Sequence, residues 1–472
     1  MIFNSLIFVL FFVVVTSTYF MLPHKYRWVL LLAASCYFYM YFLPVYILIL
    51  GFTIIVDYFA GIFIARSKGR MKKIWIVCSL VANIGVLAFF KYYNFLNENL
   101  AALFSVFHQQ NPLPYLSILL PVGLSFHTFQ AMSYTIEVYR GHHPPEKHLG
   151  IYALYVMFYP QLVAGPIERP GNLLPQFREK HYFDYDRVVS GLKIMLWGFV
   201  KKLLIADRLG LYINAVYANA DHHSGKTIWL AAFFFILQIY CDFSSYADIA
   251  IGSAKVMGFK LMTNFNRPFV ARSVQDVWKR WHISLMTWFR DYLYFPLGGN
   301  RKGIFITVRN MVIVFAISGL WHGANWTFIV WGLVNGFVLG AEQVLKPYFS
   351  FMKKVPWLLR NMTGALYTGA LFSAMGVFFR SYNIQQAGYM LKSMFAMKPG
   401  GLFMGEPPVN FYYCVFAACF LLIVEHVEEY MPRVQVLGNR SVLVRYAGYT
   451  TLLTLLMLAA VFNGGQYIYF QF

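Results

Sequence analysis

The chain has 472 residues, 59% of them hydrophobic and only 12% charged, with a mean hydropathy of +0.55. That composition excludes a soluble globular protein, and at roughly 20 apolar residues per spanning helix the length holds on the order of ten to twelve spans with little left for a separate soluble domain. The net charge of +20, from 39 Lys and Arg against 19 Asp and Glu, fits the cytoplasmic loops of an inner-membrane protein, so the expected partner is the lipid bilayer and not a nucleic acid.

In chain order, apolar runs with few charges predict spans near 1–22, 28–43, 45–65, 74–90, 113–136, 190–217, 227–250, 304–321, 324–345, 361–379, 409–424 and 446–462. The first run has no Lys or Arg ahead of it and no small-residue cleavage site, so it reads as a span and not as a cleaved leader. Basic residues gather at Lys25 and Arg27, at Arg66, Lys68, Arg70, Lys72 and Lys73, and in 140–187, 255–303, 346–360 and 433–445. Threaded through twelve spans, these clusters fall on one cytoplasmic face and put both termini outside. No internal repeat is visible, which argues against a transporter built from duplicated halves. The cysteines, at 36, 78, 241, 414 and 419, form no CxxC pair, so neither a disulfide scaffold nor a zinc site is expected.

Two connections, 140–187 and 255–303, interleave charge with aromatic residues, Pro and Gly, and read as interfacial or re-entrant structure. Irregular backbone at membrane depth needs protein or a water-filled cavity to satisfy its polar groups, so these segments mark where a cavity is expected. Within the second, 274–292 forms two arcs at 100° per residue. One carries Val274, Val277, Trp278, Trp281, Leu285, Trp288, Phe289 and Tyr292, and the other Asp276, Lys279, Arg280, Ser284, Thr287, Arg290 and Asp291. The pattern predicts one amphipathic helix in the cytoplasmic interface, with His282 beside Trp278 and Trp281, ending at Pro296 and the Gly298-Gly299 pair.

From Asn310 to Ala341 there is no Asp, Glu, Lys or Arg, and one histidine, His322, stands in the middle of the string SGLWHGANW at 318–326. The run 304–345 is too long for one span, so two helices are expected to meet near Gly319 and Gly323 with His322 inside the bilayer. An ionisable group there is costly and rarely faces lipid, and an imidazole exchanges protons near neutral pH. The bland reading is a buried histidine satisfied by a carbonyl or by Asn325; for His282 it is an interfacial histidine among tryptophans. His127 and Asp242, inside or at the edge of spans, are weaker candidates, while His142, His143, His148, His222 and His223 read as solvated surface. No nucleotide loop, serine elbow or metal signature accompanies them, so no metal is expected. Chemistry that needs only one placed imidazole is general-base attack of a hydroxyl on an acyl donor already activated as a thioester.

Six strings in order carry a family resemblance: FYPQLVAGPI at 158–167, DFSSYADIA at 242–250, NFNRPF at 264–269, WKRWHISL at 278–285, YFPLGGN at 294–300 and SGLWHG at 318–323. With the hydropathy profile and the terminal Tyr469-Phe470-Gln471-Phe472, the chain resembles the membrane-bound O-acyltransferases, in the bacterial branch typified by the membrane component of alginate O-acetylation. The resemblance implies an all-α polytopic fold of about 11–12 transmembrane helices, with interfacial or re-entrant helices around a central funnel. It implies one integral-membrane domain over 1–472, with a motif-bearing core at about 120–345 and C-terminal spans at about 361–462.

It also implies that His322 is catalytic and His282 a second functional histidine. The donor would be acetyl-CoA or another cytoplasmic acyl thioester, used as substrate with no resident cofactor. The acyl group would cross the inner membrane toward an extracytoplasmic polysaccharide such as alginate, with a separate periplasmic or extracellular acetyltransferase partner completing the work. D-alanyl transfer to teichoic acid and O-acetylation of peptidoglycan are the alternatives within the class. A transporter is the alternative outside it, and that would call for several charges lining a pore.

Overall fold

The computed structural model describes residues 1–117, 120–348, 354–434, 436–461 and 467–468, and no strand occurs among them. The terminal Tyr469–Phe472 motif lies outside the described residues, as do parts of the expected spans 113–136 and 446–462. Helices form because the apolar runs carry few interior prolines and, in lipid, a helix satisfies every backbone N–H and C=O within its own segment. Among the described residues, eight helices are long and apolar enough to cross a membrane: Pro44–Arg66, Gly69–Val106, Gly225–Met257, Gly303–His322, Trp326–Leu345, Trp357–Arg380, Val409–Tyr430 and Val442–Ala459. The chain is a multi-pass all-α membrane protein. Every one of the twelve expected runs overlaps a helix, but four of those helices are shorter or more polar than a full span, the first being the 16-residue Leu6–Met21. The run expected at 74–90 continues unbroken to Val106, through a π-helical stretch at Ala88–Tyr92.

Residues fall into two compact units. The first comprises Met1–Met195 and Ala247–Met262. It holds α1 (Leu6–Met21), α2 (His24–Met40), α3 (Ile47–Arg66), α4 (Gly69–Leu87), α5 (Tyr93–Val106), α6 (Leu124–Arg140), α7 (Leu149–Met157), α8 (Pro170–Gln176) and most of α9 (Tyr185–Phe199). Between α7 and α8, residues 158–168 are buried without being helical. Protein groups satisfy that backbone: the Tyr155 hydroxyl donates to the Glu168 carbonyl at 2.9 Å, and Tyr159 N–H donates to Ser35 Oγ at 3.0 Å. Thus part of 140–187 is irregular buried chain, as its composition predicts.

The second unit comprises Leu196–Tyr246 and Thr263–Phe472. It holds α10 (Asp207–Ala218), most of α11 (Gly225–Met257), α12 (Val274–Arg280), α13 (Ile283–Phe289), α14 (Gly303–His322), α15 (Trp326–Leu345), α16 (Trp357–Arg380), α17 (Ile384–Phe395), α18 (Val409–Tyr430) and α19 (Val442–Ala459). α14 and α15 form a tight hairpin because small residues line their seam. A Cβ on Gly319 would lie 2.2 Å from the Phe328 carbonyl oxygen, and one on Gly332 would lie 2.2 Å from that of Phe315. Glycine alone lets the two backbones approach so closely.

The expected single helix over 274–292 is corrected. It breaks after Arg280, His282 takes a left-handed conformation (φ 47°, ψ 49°), and α13 starts afresh at Ile283. The cause is the irregular segment beside it, which takes over the helix's backbone groups. Ile283 N–H donates to the Asn264 carbonyl at 2.9 Å, Asn266 N–H donates to the Arg280 carbonyl at 2.8 Å, and Asn264 Oδ1 accepts from Ser284 N–H at 3.2 Å. Periodicity registers which side chains are apolar but not such competition for the backbone.

Candidate active site

His322 is the last residue of α14, where the helix stops at an extended Gly323 whose Cβ would fall 2.2 Å from the Phe328 ring. The side chain is 6% exposed. Its imidazole packs edge-on against three aromatic rings, Trp321 at 4.9 Å, Trp331 at 5.1 Å and Phe379 at 5.2 Å. Asn325, the partner that the sequence offers, bonds elsewhere. Its Oδ1 accepts from Thr327 N–H at 2.9 Å, capping α15, and its Nδ2 donates to the Tyr382 carbonyl at 3.1 Å. His322 borders a small cavity of about 30 Å³ with Trp278, Trp281, Trp331, Phe372 and Phe379 among its walls. A larger apolar cavity of about 320 Å³ shares Ile236, Trp281 and Phe372 with it.

His282 is 1% exposed. Its Nδ1 lies 3.3 Å from Asn264 Oδ1, and the ring packs against Phe243 at 4.6 Å and Trp321 at 6.0 Å. Burial pushes the imidazole down from its ordinary range to about 3, so it is neutral across physiological pH. Trp321 therefore stands between the two histidines in contact with both rings.

Asp242 is buried and ion-paired. Lys202 Nζ donates to its Oδ1 at 2.7 Å and to Asp207 at 2.9 Å, while Asp242 Oδ2 accepts from Ile468 N–H at 2.7 Å. The Lys202 ammonium also sits 4.3 Å from the Tyr467 ring centre. Lys202 and Asp207 are not among the residues singled out from sequence, although charges inside the apolar run 190–217 are the available signal. His127 lies buried on α6 in the first unit. His142 is exposed and bonds Glu137 at 3.0 Å, His148 Nδ1 caps α7, and His222 is exposed. No group of three or more His, Cys, Asp or Glu able to hold a metal occurs among the described residues.

The arrangement provides one imidazole at a cavity wall and a second, neutral imidazole behind a shared tryptophan, within aromatic walls. That suits proton transfer to or from a small, uncharged reacting group.

Comparison with known proteins adds the family context. A model of the membrane-bound O-acyltransferase family matches residues 71–382. A probable alginate O-acetylase of Pseudomonas aeruginosa is 38% identical over 399 residues, covering 84% of this chain and 75% of that protein. A peptidoglycan O-acetyltransferase of Helicobacter pylori is 34% identical over 396 residues, covering 77% and 73%. A teichoic acid D-alanyltransferase of Bacillus subtilis is 26% identical over 265 residues, covering 54% and 66%.

Proposed function

The chain belongs to the membrane-bound O-acyltransferase family and is an O-acyltransferase, and from that premise we propose that it moves an acetyl group from a cytoplasmic thioester to an extracytoplasmic glycan. Acetate is favoured over D-alanine because the O-acetylating relatives match over three quarters or more of the chain at 34–38% identity, against about half at 26% for the D-alanyl one. The proposed site is the inner membrane, and alginate or another exopolysaccharide is the first acceptor to test. Peptidoglycan is the second, given the Helicobacter relative.

The observation that carries this reading is a buried imidazole, His322, on the wall of a cavity sized for a small acyl group. In the reaction, His322 accepts the proton of an acceptor hydroxyl as that oxygen attacks the thioester carbonyl. A C–O bond forms, the C–S bond breaks, and the proton passes from the imidazole to the departing thiolate, leaving ester and free thiol. A two-step route, with the acetyl first on the imidazole, obeys the same balance. His282, neutral and enclosed, positions Trp321 and through it the His322 ring. The exposed cations Arg272, Lys279, Arg301 and Lys302 attract the phosphates of acetyl-CoA or of a carrier-bound thioester on the cytoplasmic face. A separate protein outside the membrane completes delivery to the polymer.

The test compares O-linked esters on exopolysaccharide and on cell-wall glycan from cells with and without the chain. Loss of acetyl from one polymer names the acceptor. Unchanged esters on both, together with solute flux into proteoliposomes, would replace the reading with transport.

A further inference from the structure

Acyl transfer builds negative charge on the thioester carbonyl oxygen, and enzymes place fixed donors where that charge develops. Within the second unit one donor is conspicuous. Trp278 is 7% exposed, and its indole N–H has no hydrogen-bond acceptor among the described residues. A buried N–H left without an acceptor is unfavourable, and its persistence at a cavity wall calls for a use. Trp278 is held rigidly: Phe315 lies at 5.1 Å, Phe372 at 5.5 Å and Trp331 at 5.8 Å from its ring. Trp331 in turn packs on His322 at 5.1 Å, and Trp278 and His322 line the same cavity of about 30 Å³. Such a volume admits a guest on the order of one or two waters, suiting the carbonyl end of a two-carbon acyl group and not a longer chain.

We propose that Trp278 is a second catalytic group, whose indole N–H donates to the acyl carbonyl oxygen in the His322 cavity and strengthens that bond as the oxygen becomes an oxyanion. The proposal rests on the acyl-transfer reading above and deepens it by naming the electrophile's partner. It also accounts for an aromatic cavity wall that supplies an N–H without bringing charge to the reacting carbon.

The test uses the full chain in proteoliposomes with acetyl-CoA. Trp278→Phe removes the donor and keeps an aromatic ring; benzothienylalanine at 278 replaces N–H by sulfur with the bicyclic shape intact and serves if the phenylalanine variant folds poorly. Each is expected to lower kcat by about 10²–10³-fold with the donor KM unchanged. A second readout separates catalysis from packing. With [¹³C]carbonyl acetyl-CoA bound to the non-reacting His322→Ala variant, the carbonyl stretch is expected at lower frequency than in solution. That shift disappears when Trp278→Phe is added. Wild-type kcat in both position-278 variants, or an identical carbonyl stretch with and without the indole N–H, overturns the proposal. Full activity in His322→Ala alone refutes the acyl-transfer site itself, a separate outcome.

Discussion

Replacing Gly319 by alanine tests whether the α14–α15 seam sets the position of His322. The added Cβ would lie 2.2 Å from the Phe328 carbonyl oxygen, a backbone atom, whereas ordinary contact begins at 3.4 Å. The hairpin must therefore open by roughly 1.2 Å (3.4 less 2.2 Å). His322 sits one helical turn further on, so its ring moves by a similar amount against Trp331 and Phe379. Misplacing a catalytic group by about 1 Å costs on the order of 10²-fold in rate, and overpacking of this kind costs about 1–3 kcal/mol of stability. Gly332→Ala, which meets the Phe315 carbonyl oxygen at the same 2.2 Å, should act alike. Gly85→Ala in α4 meets nothing within 4 Å and is the control, expected to leave the rate unchanged. The assay is the initial rate of acetyl transfer in proteoliposomes, paired with thermal unfolding in detergent. A Gly319→Ala enzyme with the wild-type rate would refute the claim that seam spacing positions His322.

Three further outcomes are expected. Lys202→Met leaves two buried carboxylates without their cation and should cost about 3–5 kcal/mol, seen as a lower unfolding temperature and less chain in the membrane; equal stability would contradict the pairing with Asp207 and Asp242. Burial depresses the folded-state value of His282 to about 3, below the ordinary 6.5, so the unfolded chain binds this proton first and stability is lost as pH falls below about 6.5. His282→Asn, a residue that tolerates the left-handed backbone, should flatten that acid-side decline in unfolding temperature, and an unaltered slope would remove His282 as its source. The double substitution Lys279→Glu and Arg301→Glu should raise KM severalfold for acetyl-CoA at low salt but not for a short acetyl thioester lacking phosphates, each surface charge contributing about 0.2–1 kcal/mol; equal KM changes for both donors would exclude phosphate attraction.

Much of this was legible in the sequence, for reasons that differ by element. The α14–α15 hairpin was readable because a 42-residue apolar run, free of charge from Asn310 to Ala341, cannot be one span and glycines mark where two backbones meet. His322 stood out because no other ionisable side chain shares its stretch. The break in the helix at His282 was not readable. Its apolar neighbours fit a helix period, while the bonds that break the helix come from Asn264 and Asn266, outside that period. Nor was the seat of Lys202 readable, because a lysine in an apolar run shows its carboxylate partners only once α10 and α11 are folded against the π-helical stretch Val200–Ala206. Hydropathy does not separate helices that face lipid from helices buried in protein. Runs such as 113–136 and 190–217 owe their apolar character to burial inside protein as much as to lipid, and α6 has twelve buried residues.

The most direct test is ester formation by the His322→Ala chain, purified and reconstituted with acetyl-CoA and the acceptor glycan beside wild type at equal membrane content. Ester formation is expected to fall to the uncatalysed background while the variant's unfolding temperature stays close to that of wild type. Ester produced at the wild-type rate would contradict the role of His322 in catalysis.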